Sequence, residues 1–170
     1  LAHEVEADIP AVMVADTRLA LGQLARAWRL RFNIPVVAVT GSNGKTTVKE
    51  MLAGIFSELG QVHATKGNLN NDIGVPLTLF RLGQQHRAAV IEMGANHPGE
   101  IAALARIAEP GTGIITNVGK AHLEGFGSLE GVLHAKGELY DYLAKHGGKA
   151  LVDAGDKKLL AKATQAGVEV

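Results

Sequence analysis

Val36-Val37-Ala38-Val39-Thr40 runs without a break into Gly41-Ser42-Asn43-Gly44-Lys45-Thr46-Thr47, and apolar residues at helical spacing begin at once behind it, Val48 to Leu59. No other stretch constrains the fold as tightly. The order is strand, tight loop, helix. An unbroken apolar run suits a parallel strand buried on both faces. Glycines allow the sharp turn and leave backbone N–H groups exposed, and those groups, with a helix N-terminus behind them, attract anions. A lysine in the loop adds charge for a phosphate, and a threonine hydroxyl can ligate Mg2+. The stretch reads as a phosphate-binding loop. Its spacing, G-x-x-G-K-T-T, is shorter than the common G-x-x-x-x-G-K-[ST], because Val39 stands where the first glycine of that pattern would be.

The rest of the chain repeats the alternation. Ala11-Val12-Met13-Val14 reads as a short strand, and a helix follows through Leu19, Leu24 and Trp28, opened by Asp16 or Thr17 and stopped by Pro35. Behind the loop, Val48, Met51, Leu52, Ile55, Phe56 and Leu59 form the apolar side of a helix. Strands are expected at Gln61–Thr65, Ala88–Glu92, Gly113–Thr116 and Ala150–Val152, with Gly167–Val170 resembling the start of another. Helices are expected from Pro76 to Leu82, from Asn96 or His97 through Ala108, from Ser128 through Leu143, and from Asp156 to Ala166. Strands alternating with helices of this length indicate an α/β fold, a mostly parallel sheet flanked by helices.

Acids and bases balance at 17 each, so bulk charge gives no reason to expect nucleic acid or an anionic membrane as partner. With no cysteine, disulfides, thiol catalysis and thiolate metal sites are excluded. No apolar run approaches the ~20 residues of a membrane span. In a parallel sheet, ligands sit at the carboxyl ends of the strands. Glu92 closes one strand and is the natural metal-side acid. His122, in a polar stretch after another strand, is a candidate for function, and His97 reads as cap and loop. Between strands lies Lys66-Gly67-Asn68-Leu69-Asn70-Asn71-Asp72-Ile73-Gly74, whose amides could orient phosphates, metal-bound water or substrate.

Thr40–Thr47, Gly67–Pro76, Glu92-Met93-Gly94-Ala95-Asn96, Thr116-Asn117-Val118-Gly119, Ala121–Ser128 and Ala135-Lys136-Gly137-Glu138 occur in this order. Together they closely resemble the central ATPase domain of the Mur ligases, a P-loop NTPase-like domain. The asparagine-rich loop and the Glu92–Asn96 run are most similar to the members that add D-Ala-D-Ala to UDP-N-acetylmuramoyl-tripeptide. The resemblance implies an ATP-dependent amide-bond ligase of peptidoglycan precursor synthesis, working through an acyl phosphate, in the bacterial cytoplasm and as a monomer. It implies that N–H groups of Gly41, Ser42, Asn43, Gly44, Lys45 and Thr46 hold the phosphates, with Thr47 close by. Lys45 would neutralise charge on the transferred group. It assigns two Mg2+ ions to Thr46, Glu92 and His122, and to Lys136 in a CO2-carbamylated form. Asn70, Asn71 and Asp72 lie where the family has a catalytic asparagine, and Asn71 is preferred. Asp153-Ala154-Gly155-Asp156 departs from the family's Asn-Ala-Asp-Asp-like run, which puts base contacts there in doubt.

By the same resemblance, residues 1–16 are the tail of a UDP-substrate domain, 17–35 a connecting helix and linker, and 36–170 the ATP-binding domain. The chain is expected to be a piece of a larger ligase, inactive alone. A folylpolyglutamate- or cyanophycin-type ligase and a non-catalytic nucleotide-binding module are the alternatives.

Overall fold

A computed structural model describes residues 11–119 and 123–170 (for Leu123 and Glu124 the backbone only). Five strands form one parallel sheet in the order β2-β3-β1-β4-β5: β1 Val36–Thr40, β2 Gln61–Ala64, β3 His86–Glu92, β4 Thr112–Ile115 and β5 Lys149–Leu151. The helices are α1 Thr17–Arg29, α2 Lys45–Phe56, α3 Gly74–Leu79, α4 Glu100–Ala108, α5 Leu123–Phe126, α6 Leu129–Lys145 and α7 Lys157–Ala166. The architecture is the one that the alternation of apolar strands and helices implies.

β1 occupies the centre, and every one of its residues is buried. Its two faces are covered differently. Val36 and Ala38 join Ala89, Ile91 and Ile115 in a core shared with Ala25, Leu79, Leu104, Leu139 and Leu143 of α1, α3, α4 and α6. Val37 and Val39 point the other way, as the pleat requires, toward the face over which α2 packs on β1, β2 and β3. The register sets Val39 beside Glu92 and Ile114, so β1, β3 and β4 end at one rim of the sheet. Successive strands lie to one side of β1 as far as β3 and to the other from β4 on. The loop after β1 therefore sits where the winding reverses, the usual place for a ligand crevice.

α1 is held firmly on this body. Asp16 caps it, accepting from Arg18 N at 2.8 Å and Leu19 N at 3.0 Å. The Trp28 indole donates to Leu82 O, and the buried Arg29 guanidinium donates to Ala108 O and Phe32 O. Among the described residues no helix is long and apolar enough to cross a membrane.

Several elements differ from expectation. Ala11–Val14 forms no strand, and Val12 and Met13 are exposed. α4 opens only at Glu100. Neither Asn96 nor His97 caps it; instead Glu138 of α6 accepts from Gly99 N at 2.6 Å and Ala102 N at 2.9 Å. α2 begins three residues early, at Lys45, and is turned so that Met51 and Ile55 are 63% and 66% exposed, and Leu59, in the 3-10 turn that follows it, is 65% exposed. Gly167–Val170 contributes a single parallel bridge, Glu169 to Lys149, at the β5 edge.

Candidate functional site

The loop between β1 and α2 turns on two glycines with left-handed backbone, Gly41 at φ 144° and Gly44 at φ 78°. Both torsions suit glycine alone. At Gly41 space forbids a side chain as well, because a Cβ there would run into Thr116 Oγ1. The neighbouring strand end forms a strut against the loop. Asn117 donates through Nδ2 to Asn43 O at 3.0 Å, accepts from Asn43 N at 3.1 Å, and takes Ser42 N on its own carbonyl at 3.0 Å. Thr116 Oγ1 also donates to Asn43 O, and Ser42 Oγ accepts from Gly119 N at 2.9 Å. The N–H groups of Ser42 and Asn43 are thus both bonded to Asn117. The opening amides of α2, at and after Lys45, have no acceptor within the helix and carry its positive end.

Beyond the loop the side chains converge. Lys45 Nζ donates to Gly41 O at 2.9 Å. Thr46 Oγ1 donates to Glu92 Oε2 at 2.9 Å, and Asn70 Nδ2 donates to Glu92 Oε1 at 2.9 Å. Both oxygens of this carboxylate, which is 3% exposed, are therefore held. Asn70 can approach because residue 94 is glycine: a Cβ there would press on the Asn70 amide, and Gly94 N donates to Asn70 O at 2.8 Å. Asn71, which lines the same cavity as Lys45 and Asn70, is bonded at its side-chain oxygen. Its Oδ1 accepts from Gly74 N at 2.8 Å and Ile73 N at 3.3 Å, an Asx-type turn leading into α3. Asp72 pairs with Arg18 at 3.2 Å on the surface. Thr47 is exposed on the first turn of α2.

Lys136 of α6 is 2% exposed, and burial together with the nearby Lys45 ammonium brings its pKa down to about 8. Its ammonium lies 6.0 Å from the centre of the Phe126 ring. Lys45, Asn70, Gly94, Asn96, Glu100 and Lys136 line one cavity of about 510 Å3. His122 lies outside the described residues. Asp153 and Asp156 have local tasks: the first accepts from Gly155 N, the second caps α7 through Lys158 N and Leu159 N.

Among the described residues no three His, Cys, Asp or Glu side chains cluster as metal ligands. Mg2+ does not require such a cage, since it retains water and is bound through one or two carboxylates plus substrate phosphates. The adjacent Thr46 hydroxyl and Glu92 carboxylate, beside the anion-attracting start of α2, fit that mode. Sequence reasoning missed Asn117, although it lay among the polar residues closing a strand. It also missed Gly94, for which only the spacing from Glu92 was a signal.

Residues 39–170 match the Mur ligase middle domain. The UDP-N-acetylmuramoyl-tripeptide–D-alanyl-D-alanine ligase of Haemophilus influenzae is 54% identical over 143 residues, 82% of this chain. Only 31% of that protein is covered, so the chain spans about a third of the length of such relatives. MurF from Acinetobacter baumannii superposes with a TM-score of 0.87 at 44% identity, over 96% of this chain and 37% of that one. MurF ligase from Thermotoga maritima, solved in complex with ADP, gives 0.88 at 34% identity, over 97% and 38%.

Proposed function

The chain belongs to the Mur ligase family through its middle domain, and on that premise we propose that it is the ATP-binding part of a ligase of peptidoglycan synthesis that joins D-Ala-D-Ala to UDP-N-acetylmuramoyl-tripeptide. The observation that carries this reading is the meeting of Lys45, Asn70 and Lys136 at one cavity beside the glycine loop, with Asn70 bonded to the Glu92 carboxylate and that carboxylate to Thr46. The names of the relatives supply the substrates.

The substrate carboxylate attacks the γ-phosphorus of ATP. ADP leaves, and a mixed acyl phosphate remains. The amine of D-Ala-D-Ala adds to the acyl carbon, loses a proton, and inorganic phosphate departs as the amide forms. Such a transfer depends on positioning and charge stabilisation. The amides of Gly44, Lys45 and Thr46 hold the β- and γ-phosphates, with Thr47 alongside. The Lys45 ammonium offsets negative charge on the transferred group. Thr46 and Glu92 hold a Mg2+ ion, which when bound screens the repulsion between carboxylate and triphosphate. Asn70, rather than Asn71, keeps the Glu92 carboxylate turned toward that position. His122 takes the place of the family's histidine at a second Mg2+.

Lys136 serves in carbamylated form. With its pKa at about 8, roughly a quarter of the amine is unprotonated at pH 7.5. That amine adds to CO2 and loses a proton, giving an anionic carbamate whose oxygens suit Mg2+. The ligase works as a monomer in the cytoplasm. Residues 17–35 connect a UDP-substrate domain, whose tail is 1–16, to the ATP-binding domain at 36–170.

The test is ATP-dependent phosphate release by the complete ligase with both substrates. Lys45→Ala lowers it by at least about a hundredfold. Unchanged turnover would remove Lys45 from the chemistry, no turnover by the wild type would favour a non-catalytic nucleotide module, and turnover with a folate or polyamino-acid acceptor would favour the folylpolyglutamate or cyanophycin type.

A further inference from the structure

α2 packs on the sheet, yet the residue it buries there is a lysine. Lys49 is 2% exposed, while Met51 and Ile55 of the same helix face solvent. A buried ammonium costs free energy unless it is bonded. Lys49 Nζ has two partners. Glu50, its exposed neighbour on the helix, pairs with it at 2.6 Å. The other bond reaches off the helix: Lys49 Nζ donates to Thr65 O at 2.7 Å.

Thr65 stands where β2 ends and the asparagine-rich loop begins, and it is itself 1% exposed. Its N–H donates to Val90 O at 3.1 Å, and its Oγ1 accepts from Glu92 N at 2.9 Å. Residues 65–70 therefore clasp the end of β3 at three points: Glu92 N through Thr65, the Glu92 carboxylate through Asn70, and Gly94 N through Asn70 O. Lys49 ties the first of these points to α2. It lies three residues after Thr46, on the same side of the helix. One turn of α2 thus holds Glu92 twice, directly at its carboxylate through Thr46 and at its backbone by way of Thr65.

We propose that Lys49 is a positioning residue for the metal-side carboxylate, fixing Glu92 relative to the phosphate-binding loop through Thr65. The inference rests on the reading of Glu92 as that carboxylate. Lys49 touches neither nucleotide nor metal. Its effect falls on the contribution of Mg2+ to ATP binding, while the grip of the loop amides on phosphate alone is left intact.

ATP affinity of the 170-residue chain is measured with Mg2+ and again in EDTA, for the wild type, Lys49→Met and Thr65→Val. Lys49→Met keeps the aliphatic stem and loses the bond to Thr65 O. Thr65→Val keeps that bond and loses the one to Glu92 N. In both variants the gain in affinity from Mg2+ falls roughly tenfold, as expected for the loss of one buried hydrogen bond, and affinity in EDTA is unchanged. If Lys49→Met does not fold, as judged by circular dichroism, Lys49→Gln, whose shorter neutral side chain weakens the reach to Thr65 O while keeping a polar end, is read in its place. A full Mg2+ gain in a folded variant, or an equal loss with and without Mg2+, overturns the proposal and leaves Lys49 a packing residue. A wild type showing no Mg2+-dependent binding overturns the functional reading and this inference together.

Discussion

Within α6, Lys136 sits among Ala135, Leu139 and Tyr140, all fully buried. Its ionised form is disfavoured there by lost solvation first and by Lys45 second, which places its pKa at about 8 against an ordinary 10.5. Between those values the unfolded chain binds a proton that the folded chain does not, so this group makes stability rise with pH through that window. Tyr140 acts in the opposite sense: burial pushes its phenol up to about 12 from 10.0, so its contribution declines only above pH 10. Urea unfolding between pH 7 and 9.5 separates the two. Wild-type stability rises from pH 8 upward; Lys136→Met removes the rise and adds on the order of 3 kcal/mol at pH 7, while ligation in the complete enzyme is lost. A flat wild-type profile would remove the basis for an unprotonated amine. A lysine in an amphipathic helix reads as a surface residue, and helical phase alone does not reveal that α6 is enclosed around position 136. Adjacent amides pose the same difficulty. Asn70 and Asn71 are indistinguishable by spacing, and only the turn into α3 sends one to Glu92 and the other to Gly74 N.

The glycine loop after β1 is an element with a strut. Thr116, Asn117 and Gly119, at the carboxyl end of β4, hold Ser42 and Asn43 by backbone and side chain. Asn117→Ala removes two of these bonds; Asn43 O keeps its bond from Thr116 Oγ1, while Asn43 N is left to find water. Its expected effect is about a tenfold loss of ATP affinity, equal with and without Mg2+, by calorimetric titration; unchanged affinity would show that the loop keeps its shape unaided. The helix after the loop illustrates what periodicity can and cannot convey. Met51, Ile55 and Leu59 were expected to face the core with Val48, Leu52 and Phe56, and they are exposed instead. Apolar spacing identifies a stripe on a helix. The rotation of that helix is decided by the bonds that anchor it, here Thr46 to Glu92 and Lys49 to Thr65.

At the scale of the whole molecule, one parallel sheet brings the ends of β1, β3 and β4 to a common rim, and the chemistry collects there. The 170-residue chain is expected to bind ATP, more tightly with Mg2+, and to form no amide with both substrates present; mass spectrometry of the reaction checks this, and pentapeptide product would refute it. Much of this was legible beforehand. Local chemistry such as glycine torsion, strand hydrophobicity and a helix start depends on neighbouring residues, so Val36–Thr47 alone determined a strand, a tight glycine loop and a helix, and the alternation behind it a parallel sheet. Contacts between distant segments are not encoded locally. Asn70 reaches Glu92 across 22 residues, and Asn43 meets Asn117 across 74. Which asparagine bonds the carboxylate, which loop amides bond Asn117, and why a lysine is buried beneath α2 were decided only when strand order and register brought those segments within hydrogen-bonding distance.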